Sequence, residues 1–151
     1  MITVEEFMTL EVCTMSKTDS VNDARKVMTE RHIRHIPVTD GENRLIGLVT
    51  QRDILAVTAL ESEGRENKAS ETGKRDTRLS DIMIKNVNVV DKTDSLRTAA
   101  MYMHSHKYGC LPVVSDGRLA GIITDSDFIG IAINLIEQAE LNEQELGSEE
   151  I

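Results

Sequence analysis

The residues best suited to chemistry form a pattern that occurs twice: a glycine, two apolar residues, then a threonine followed three positions later by an aspartate. The two copies run from Gly47 to Asp53 and from Gly121 to Asp127. The free N–H groups at a helix start and a threonine hydroxyl can bind a phosphate, and an aspartate can accept hydrogen bonds from the vicinal hydroxyls of a ribose. The same residues are also what a helix start needs for local capping alone. The pattern therefore indicates either a nucleotide site or a pair of capped helices.

Two pairs of histidines have spacings that metal ligands use. They are His32 with His35 and His104 with His106. Neither pair has a cysteine or a third ligand at an obvious spacing, so a small metal-binding protein is the weaker alternative. Serine, cysteine and histidine residues also lack any arrangement typical of a catalytic triad. The sequence therefore predicts a protein that binds no metal and catalyses no reaction.

The elements that must position these residues form a repeat. Lys17 to Ser20 recurs as Lys92 to Ser95, and Pro37-Val38 recurs as Pro112-Val113, both at an offset of 75 positions. Beyond the following turn the offset falls to 74, because the second copy has one turn residue fewer. The chain thus contains two copies of a unit of about fifty residues, running from about Met8 to Val57 and from about Met83 to Ile131.

Each copy predicts the element order β-α-β-β-α, which places the protein in the α+β class. Short, partly β-branched stretches predict a first strand at Val12 to Met15 and at Val87 to Val90. Ser20 and Ser95 are placed to cap the first helix, and a hairpin around an Asp-Gly turn follows. The threonine of each Thr-x-x-Asp pattern then begins the second helix. Because a unit of this size buries little surface alone, we expect the two copies to pack on each other.

The chain is predicted to divide into four segments. A capping box of Thr3 and Glu6 predicts a short helix that brings Phe7 and Met8 into the first unit. A stretch in which acidic and basic side chains cancel and apolar residues are rare predicts a flexible linker. The segments are a first unit at 1–60, the linker at 61–78, a second unit at 79–137 and an acidic tail at 138–151.

The C-terminal helix is predicted to continue from Ser126 past Ile136 and to fray in the acidic tail. Ile129, Ile133 and Ile136 fall on one face of this helix. One copy of the chain cannot cover that face, so we expect a homodimer.

Charge and composition exclude several classes of function. The chain has 17 basic and 26 acidic side chains, a net charge of -9, which disfavours binding to a nucleic acid backbone. The longest apolar stretch, from Phe128 to Ile136, is well short of the roughly 20 residues that span a membrane. Cys13 and Cys110 are isolated, as is usual for reduced thiols. Glu5 and Glu6 also fit no secretory signal, so we expect a soluble cytoplasmic protein.

The order of these motifs resembles a pair of CBS domains. Ile36-Pro37-Val38 precedes the first Thr-x-x-Asp pattern, and Leu111-Pro112-Val113 precedes the second. The chain is most similar to stand-alone CBS pairs of the acetoin utilisation type. The resemblance implies two units related by pseudo-twofold symmetry, often dimerised, that bind adenine nucleotides or related adenosyl ligands in clefts between them. It implies no obligatory cofactor.

The resemblance also implies roles for individual residues. Asp53 and Asp127 would accept hydrogen bonds from ribose hydroxyls, and Thr50 and Thr124 would contact ribose or phosphate. The adenine would lie against His35, Ile36 and Pro37 in one unit or Cys110, Leu111 and Pro112 in the other, with Thr14 and Val89 as candidates for the opposite wall.

The two copies differ in charge near the expected phosphate position. The first has Arg34, His35 and Arg52, whereas the second has Gly109, Cys110, Ser126 and the additional acid Asp125. Cationic donors favour a phosphate, so we expect AMP, ADP or ATP in the first cleft and a less anionic ligand such as S-adenosylmethionine in the second. Because paired units can share side chains across their interface, Arg34 or His35 would reduce this difference by reaching the second cleft.

Together these features predict a non-catalytic regulatory module that binds a small-molecule nucleotide and acts on an unidentified protein partner by a change in packing. The alternative of a different class is an oligomerisation scaffold whose clefts bind no ligand.

Overall fold

The computed structural model describes residues 1–60 and 77–149, so the predicted linker lies almost entirely outside the described residues. The two halves have similar but not identical elements. A 3₁₀ turn at Val4–Glu6 precedes α1 (Val21–Arg31), β1 (His35–Thr39), β2 (Leu45–Thr50) and α2 (Gln51–Leu60). The second half contains α3 (Leu79–Ile82), β3 (Val90–Asp91), α4 (Leu96–His106), β4 (Cys110–Ser115), β5 (Arg118–Thr124) and α5 (Asp125–Glu149).

The first helix of each unit begins and ends as its sequence dictates. The Ser20 hydroxyl accepts a hydrogen bond from the Asp23 N–H at 3.0 Å, and the Ser95 hydroxyl caps α4 in the same way. Both helices end at a residue in the left-handed conformation, His32 with φ 54° and Lys107 with φ 60°. The predicted helix caps are confirmed, and His32 has a structural role at a helix end.

Two antiparallel hairpins form the sheets. β1 pairs with β2 and β4 pairs with β5, in a register that places His35 opposite Thr50 and Cys110 opposite Thr124. The predicted first strands are wrong in length, because only Met15 bridges to Val38 in the first unit and only Val90–Asp91 joins β4 in the second. The physical reason is that the chain ahead of each strand pairs with the other half of the molecule.

The segment that precedes the first strand of each half pairs with the other half, and this exchange of leading segments joins the two units. Thr9 makes reciprocal backbone hydrogen bonds with Ile122, and Ile84 makes equivalent bonds with Leu48. Val4 is fully buried in the core of the second unit, together with Leu96, Ala99, Met103, Leu111, Val113 and Ile123. In the other direction, Leu79 is buried in the core of the first unit, together with Val21, Ala24, Met28, Ile36, Val38, Val49 and Ile54. The predicted packing of the two units on each other is confirmed.

Two expectations about the segments next to the units differ from the structure. Met8 packs against the second core, so the expectation that the N-terminal turn brings it into the first unit is wrong. Thr77 and Arg78 pair with Ser20 and Val21, so the predicted linker ends earlier than expected.

The predicted fraying of the acidic tail is wrong as well, because α5 continues to Glu149. Alanine, leucine, glutamine and glutamate are good helix formers, which accounts for the extension. Within the described residues, no helix is both long and apolar enough to cross a membrane.

Candidate functional site

Two clefts lie between the units, and each combines parts of both. The first cleft, of about 700 Å³, brings Thr50 and Asp53 of the first unit together with the loop 107–110 of the second. The second cleft, of about 550 Å³, brings Thr124 and Asp127 together with the loop 32–35 of the first unit. The two loops are equivalent in the repeat. Each Thr-x-x-Asp pattern therefore faces the helix-to-strand loop of the opposite unit.

The threonine and aspartate of each pattern form a reciprocal helix cap. Oδ2 of Asp53 accepts hydrogen bonds from the Thr50 N–H and hydroxyl, both at 2.9 Å, and the Asp53 N–H donates to Oγ1 of Thr50 at 3.2 Å. Asp127 and Thr124 make the same three contacts at 2.8, 3.1 and 3.3 Å. The capping interpretation of the pattern is thus correct for one oxygen of each carboxylate, and the second oxygen decides whether a ligand can also be held.

The second carboxylate oxygen has different surroundings in the two clefts. Oδ1 of Asp127 accepts a hydrogen bond from the Thr9 hydroxyl at 3.4 Å. The residue equivalent to Thr9 is Ile84, which lines the first cleft and offers no hydroxyl. Among the described residues, Oδ1 of Asp53 receives no hydrogen bond. Oδ1 of Asp53 therefore has its full acceptor capacity available, whereas Oδ1 of Asp127 already accepts one hydrogen bond.

The glycine that opens each pattern makes room for the exchanged leading segment. A Cβ atom at Gly121 would lie 2.8 Å from the Thr9 carbonyl oxygen, and one at Gly47 would lie 3.2 Å from the Ile84 carbonyl oxygen. These approaches allow the backbones of Thr9 and Ile84 to pair with the strands. The glycines thus shape one wall of each cleft.

The two clefts differ in charge. The first is lined by three cationic side chains and two carboxylates, which are Arg34, Arg52, Lys107, Asp53 and Asp125. The second is lined by two cationic side chains and three carboxylates, which are Arg31, Arg34, Glu11, Asp125 and Asp127. The first cleft is thus the more favourable environment for a phosphate.

Three side chains line both clefts: Arg34, His35 and Asp125. Nη2 of Arg34 lies 3.6 Å from Oδ1 of Asp125. Burial lowers the pKa of His35, with a further lowering by Arg34 that the Asp125 carboxylate opposes. His35 is therefore predominantly neutral near pH 7, and Arg34 is the permanent cation beside Asp125.

Two predicted residues lie on a different cleft from the one expected. Gly109 and Cys110 line the first cleft, because the loop of the second unit reaches across to the Thr-x-x-Asp pattern of the first. Arg34 and His35 line the second cleft as well as the first for the same reason. Ser126 lines the second cleft, as expected. The charge asymmetry of the two clefts therefore arises from other residues as well as those that the sequence indicated.

The remaining predicted residues line neither cleft. Ile36 and Leu111 are fully buried in β1 and β4, next to Pro37 and Pro112, and these four line neither cleft. Thr14 and Val89 also line neither cleft. The sequence missed several lining residues, which are Thr9, Glu11, Arg31, Gln51, Ile84, Lys107 and Tyr108. The repeat offset that relates His32 to Lys107 was the available signal for the loop residues.

Cys110 is buried, and His106 is held by neighbours on its own helix and by Tyr108. Burial raises the pKa of the Cys110 thiol to about 12, with a smaller contribution from Asp125, so this thiol stays protonated and unreactive at neutral pH. Nδ1 of His106 is 3.0 Å from the Tyr102 carbonyl oxygen, and its ring stacks on Tyr108. No three histidine, cysteine, aspartate or glutamate side chains in the described residues are grouped to hold a metal ion.

Comparison with known proteins agrees with this architecture. Residues 4–59 and 79–134 each match the family model of the CBS domain. The chain belongs to the CBS domain family. The predicted resemblance to a tandem pair of CBS domains is thereby confirmed, and both units of the repeat are members of the same family.

Two solved structures are similar over nearly the whole chain. A crystal structure assigned to an acetoin utilization protein, AcuB, from Vibrio cholerae is 42% identical, has a TM-score of 0.78 and covers 93% of this chain and 98% of that chain. A crystal structure of CBSX2 in complex with AMP is 30% identical, has a TM-score of 0.74 and covers 89% of this chain and 98% of that chain. CBSX2 is a CBS-pair protein from Arabidopsis thaliana.

The curated relatives are longer than this chain. A 33.4 kDa protein in a ribosomal RNA operon of Thermofilum pendens is 36% identical over 129 residues, which cover 85% of this chain and 43% of that protein. The chain spans less than half of the length of the first curated relatives that it matches.

Proposed function

We propose that this CBS pair is a non-catalytic regulatory module that binds an adenine nucleotide, AMP, ADP or ATP, in its first cleft. The observation that carries the proposal is the combination, in one cleft, of a capped aspartate with an unused carboxylate oxygen and three cationic side chains. The oxygen suits a ribose hydroxyl, and the cations suit a phosphate. The AMP complex of CBSX2, which is 30% identical, supports an adenine nucleotide as the ligand class.

The roles within the first cleft follow from this geometry. Asp53 would accept from the ribose, with Thr50 holding the carboxylate in place through the cap. Arg52, Arg34 and Lys107 would neutralise phosphate charge. The second cleft has more carboxylates than cations, so it would take a less anionic adenosyl ligand, for which S-adenosylmethionine is the cationic example.

Calorimetric titration of ATP into the wild-type chain, Asp53→Ala and Asp127→Ala tests the proposal. We expect Asp53→Ala to weaken ATP binding by about 1 to 3 kcal/mol, the value of a hydrogen bond to a charged group, and Asp127→Ala to leave it nearly unchanged. Loss of the carboxylate from the first turn costs the helix only about 0.3 to 1 kcal/mol, and the capping threonine remains, so both variants should fold. The proposed site is wrong if Asp127→Ala removes tight ATP binding and Asp53→Ala retains it.

The second candidate function is an oligomerisation scaffold without a ligand. It is favoured by the observation that one oxygen of each aspartate is already used in a helix cap. The two functions differ in a thermal-shift experiment with a panel of adenine nucleotides. A ligand at a hundred times its Kd stabilises the folded chain by about 2.7 kcal/mol, whereas a scaffold shows no shift with any nucleotide.

We also propose that the chain forms a homodimer through α5. Ile129, Ile133 and Ile136 are 50 to 60% exposed and form an apolar face at the start of this helix. Burial of such a face against a second copy is favourable. Light scattering at micromolar concentration should give the mass of a dimer for the wild-type chain and of a monomer for Ile133→Lys. A wild-type monomer, with and without nucleotide, would exclude the dimer.

We also propose that the protein acts in the cytoplasm, on a protein partner. Cys13 and Cys110 are both free thiols, which fits a reducing compartment such as the cytoplasm. A protein partner would sense the change in packing between the units when a cleft fills. Cross-linking of the full chain with and without ATP, followed by mass spectrometry, should recover a partner whose yield depends on the nucleotide.

A further inference from the structure

Arg34 and Asp125 lie where the two clefts meet. Arg34 belongs to the loop between α1 and β1 of the first unit, and Asp125 is the first residue of α5 in the second unit. Their side chains are 58% and 50% exposed and form an ion pair at 3.6 Å. Because both residues line both clefts, a ligand in either cleft can reach the pair.

The repeat provides no second pair of this kind. The residue equivalent to Arg34 is Gly109, and the residue equivalent to Asp125 is Gln51. The backbone is the same on both sides, since the Gln51 N–H donates to the Arg34 carbonyl at 2.9 Å and the Asp125 N–H donates to the Gly109 carbonyl at 3.0 Å. The ion pair is thus an asymmetric addition to a symmetric frame.

Arg34 is the cation that compensates Asp125. His35 is a second basic group near Asp125, and its ring packs against Gly109 so closely that a Cβ there would lie 3.0 Å from Nε2. Burial lowers the pKa of this imidazole, so it is a weaker counter-charge to Asp125 than the guanidinium is. Arg52 and Lys107 line the first cleft as well, but among the described residues only Arg34 forms an ion pair with Asp125. If Arg34 turned to another anion, Asp125 would lose its compensating charge and would act together with Glu11 and Asp127 in the second cleft.

We propose that the Arg34–Asp125 ion pair couples the two clefts, so that a nucleoside phosphate in the first cleft makes the second cleft selective for a cationic nucleoside. The phosphate competes with Asp125 for the guanidinium, which binds phosphate oxygens in a bidentate manner. The second cleft then gains negative charge, which attracts a cation and repels a second phosphate. This inference rests on the proposed function, and linkage requires the effect to be reciprocal.

The experiment measures the affinity of the full chain for S-adenosylmethionine, a sulfonium cation, with and without saturating AMP. We expect AMP to tighten S-adenosylmethionine binding by about five- to tenfold, and S-adenosylmethionine to tighten AMP binding by the same factor. The effect should shrink at about 0.5 M salt, because both side chains are exposed and screened.

Asp125→Asn tests the pair directly. The amide retains an oxygen that can accept the hydrogen bond that Ser126 N–H gives Oδ1 at 2.8 Å, so α5 should begin as before. We expect the two ligands to bind this variant independently. Asp116→Asn is the matched control, because it removes the same charge from the β4–β5 turn outside both clefts, and it should retain the coupling.

The outcomes distinguish the inference from the proposed function. Three results would each overturn the inference: independent binding of the two ligands to the wild-type chain, failure of S-adenosylmethionine to bind the AMP-filled chain, or coupling that persists in Asp125→Asn. In each case, binding of AMP would leave the proposed function in place. A wild-type chain that binds no adenine nucleotide would overturn the proposed function, and the inference with it.

Discussion

The two clefts are built from equivalent elements, but they present different chemistry to a ligand. Both have a Thr-x-x-Asp cap, a leading segment from the other half and a helix-to-strand loop from the opposite unit. They differ at a few equivalent positions, where Arg52 in one corresponds to Ser126 in the other and Ile84 corresponds to Thr9. The repeated unit therefore fixes the backbone arrangement of both clefts, while single side chains determine the charge of each cleft.

The helix cap and the candidate ligand contact use different oxygen atoms of the same aspartates. In Asp53, Oδ2 completes the helix cap and Oδ1 has no partner among the described residues, whereas in Asp127 both oxygens are engaged. A Thr-x-x-Asp pattern therefore does not reveal by itself whether a cleft is ready for a ribose. The difference comes from the exchanged segment, which has a hydroxyl at Thr9 in the second cleft and an aliphatic side chain at Ile84 in the first.

The largest effect is expected from the glycines that admit the exchanged segments. In Gly121→Ala the new methyl would lie 2.8 Å from the Thr9 carbonyl oxygen, a backbone atom that cannot turn away. We expect this variant to lose about 1 to 3 kcal/mol of unfolding free energy, the usual cost of overpacking. Urea denaturation followed by circular dichroism measures it.

Gly47→Ala is the matched variant in the first unit. Its new methyl would meet mainly the flexible Met83 side chain, with the Ile84 carbonyl oxygen at 3.2 Å. Because Met83 can move, we expect a smaller loss than in Gly121→Ala. An equal or greater loss in Gly47→Ala would contradict the expectation that the first unit tolerates the added methyl group better than the second.

A smaller effect is expected when a residue that differs in charge between the clefts is replaced by its equivalent from the other cleft. Arg52→Ser gives the first cleft the residue of the second, and Ser126→Arg does the reverse. Both positions are exposed, so each charge is worth about 1 kcal/mol toward a phosphate, about a fivefold change in Kd. Calorimetry should show weaker ATP binding in Arg52→Ser and a second ATP molecule bound in Ser126→Arg.

Lys26→Ser provides the control for these two variants, because Lys26 lies on α1 and lines neither cleft. ATP affinity in this variant should match that of the wild-type chain. If the control weakens ATP binding as much as Arg52→Ser does, the net charge of the chain matters more than the position of the cation.

Much of the fold could be predicted from the sequence because its signals are local. Ser20 and Ser95 begin their helices through contacts within three residues, and the Asp-Gly turns fix the hairpins. Because the unit is repeated, each of these local signals occurs twice in the chain. Local propensity and duplication were therefore sufficient for the order of helices and strands.

The exchange of segments could not be predicted in the same way. Val4 and Leu79 are apolar residues in short helical turns, and nothing in their spacing states which of two similar cores they enter. The assignment of Gly109 and Cys110 to the wrong cleft has the same origin. Both errors concern the pairing of the units, which depends on contacts between residues far apart in the chain.

The smallest effect concerns pH, and it distinguishes His35 from its equivalent, Cys110. Burial is the main cause of the lowered pKa of His35, so the unfolded chain binds a proton at this residue more readily than the folded chain does. The stability contribution is present above the ordinary value of about 6.5 and is lost as the pH falls through the pKa of the folded state. We expect the urea midpoint to fall more between pH 7.5 and 5.5 in the wild-type chain than in His35→Gln.

The Asp125 carboxylate sharpens this prediction, because it opposes the lowering of the His35 pKa. In Asp125→Asn the pKa should fall further, and the stability should depend more steeply on pH than in the wild-type chain. Cys110 cannot contribute over this range, since its thiol has a pKa of about 12 and stays neutral. Cys110→Ser should therefore leave the pH dependence unchanged, whereas a pH dependence that His35→Gln does not reduce would show that another group titrates with folding. His35 would then contribute no more to the pH dependence than Cys110, its equivalent in the second unit.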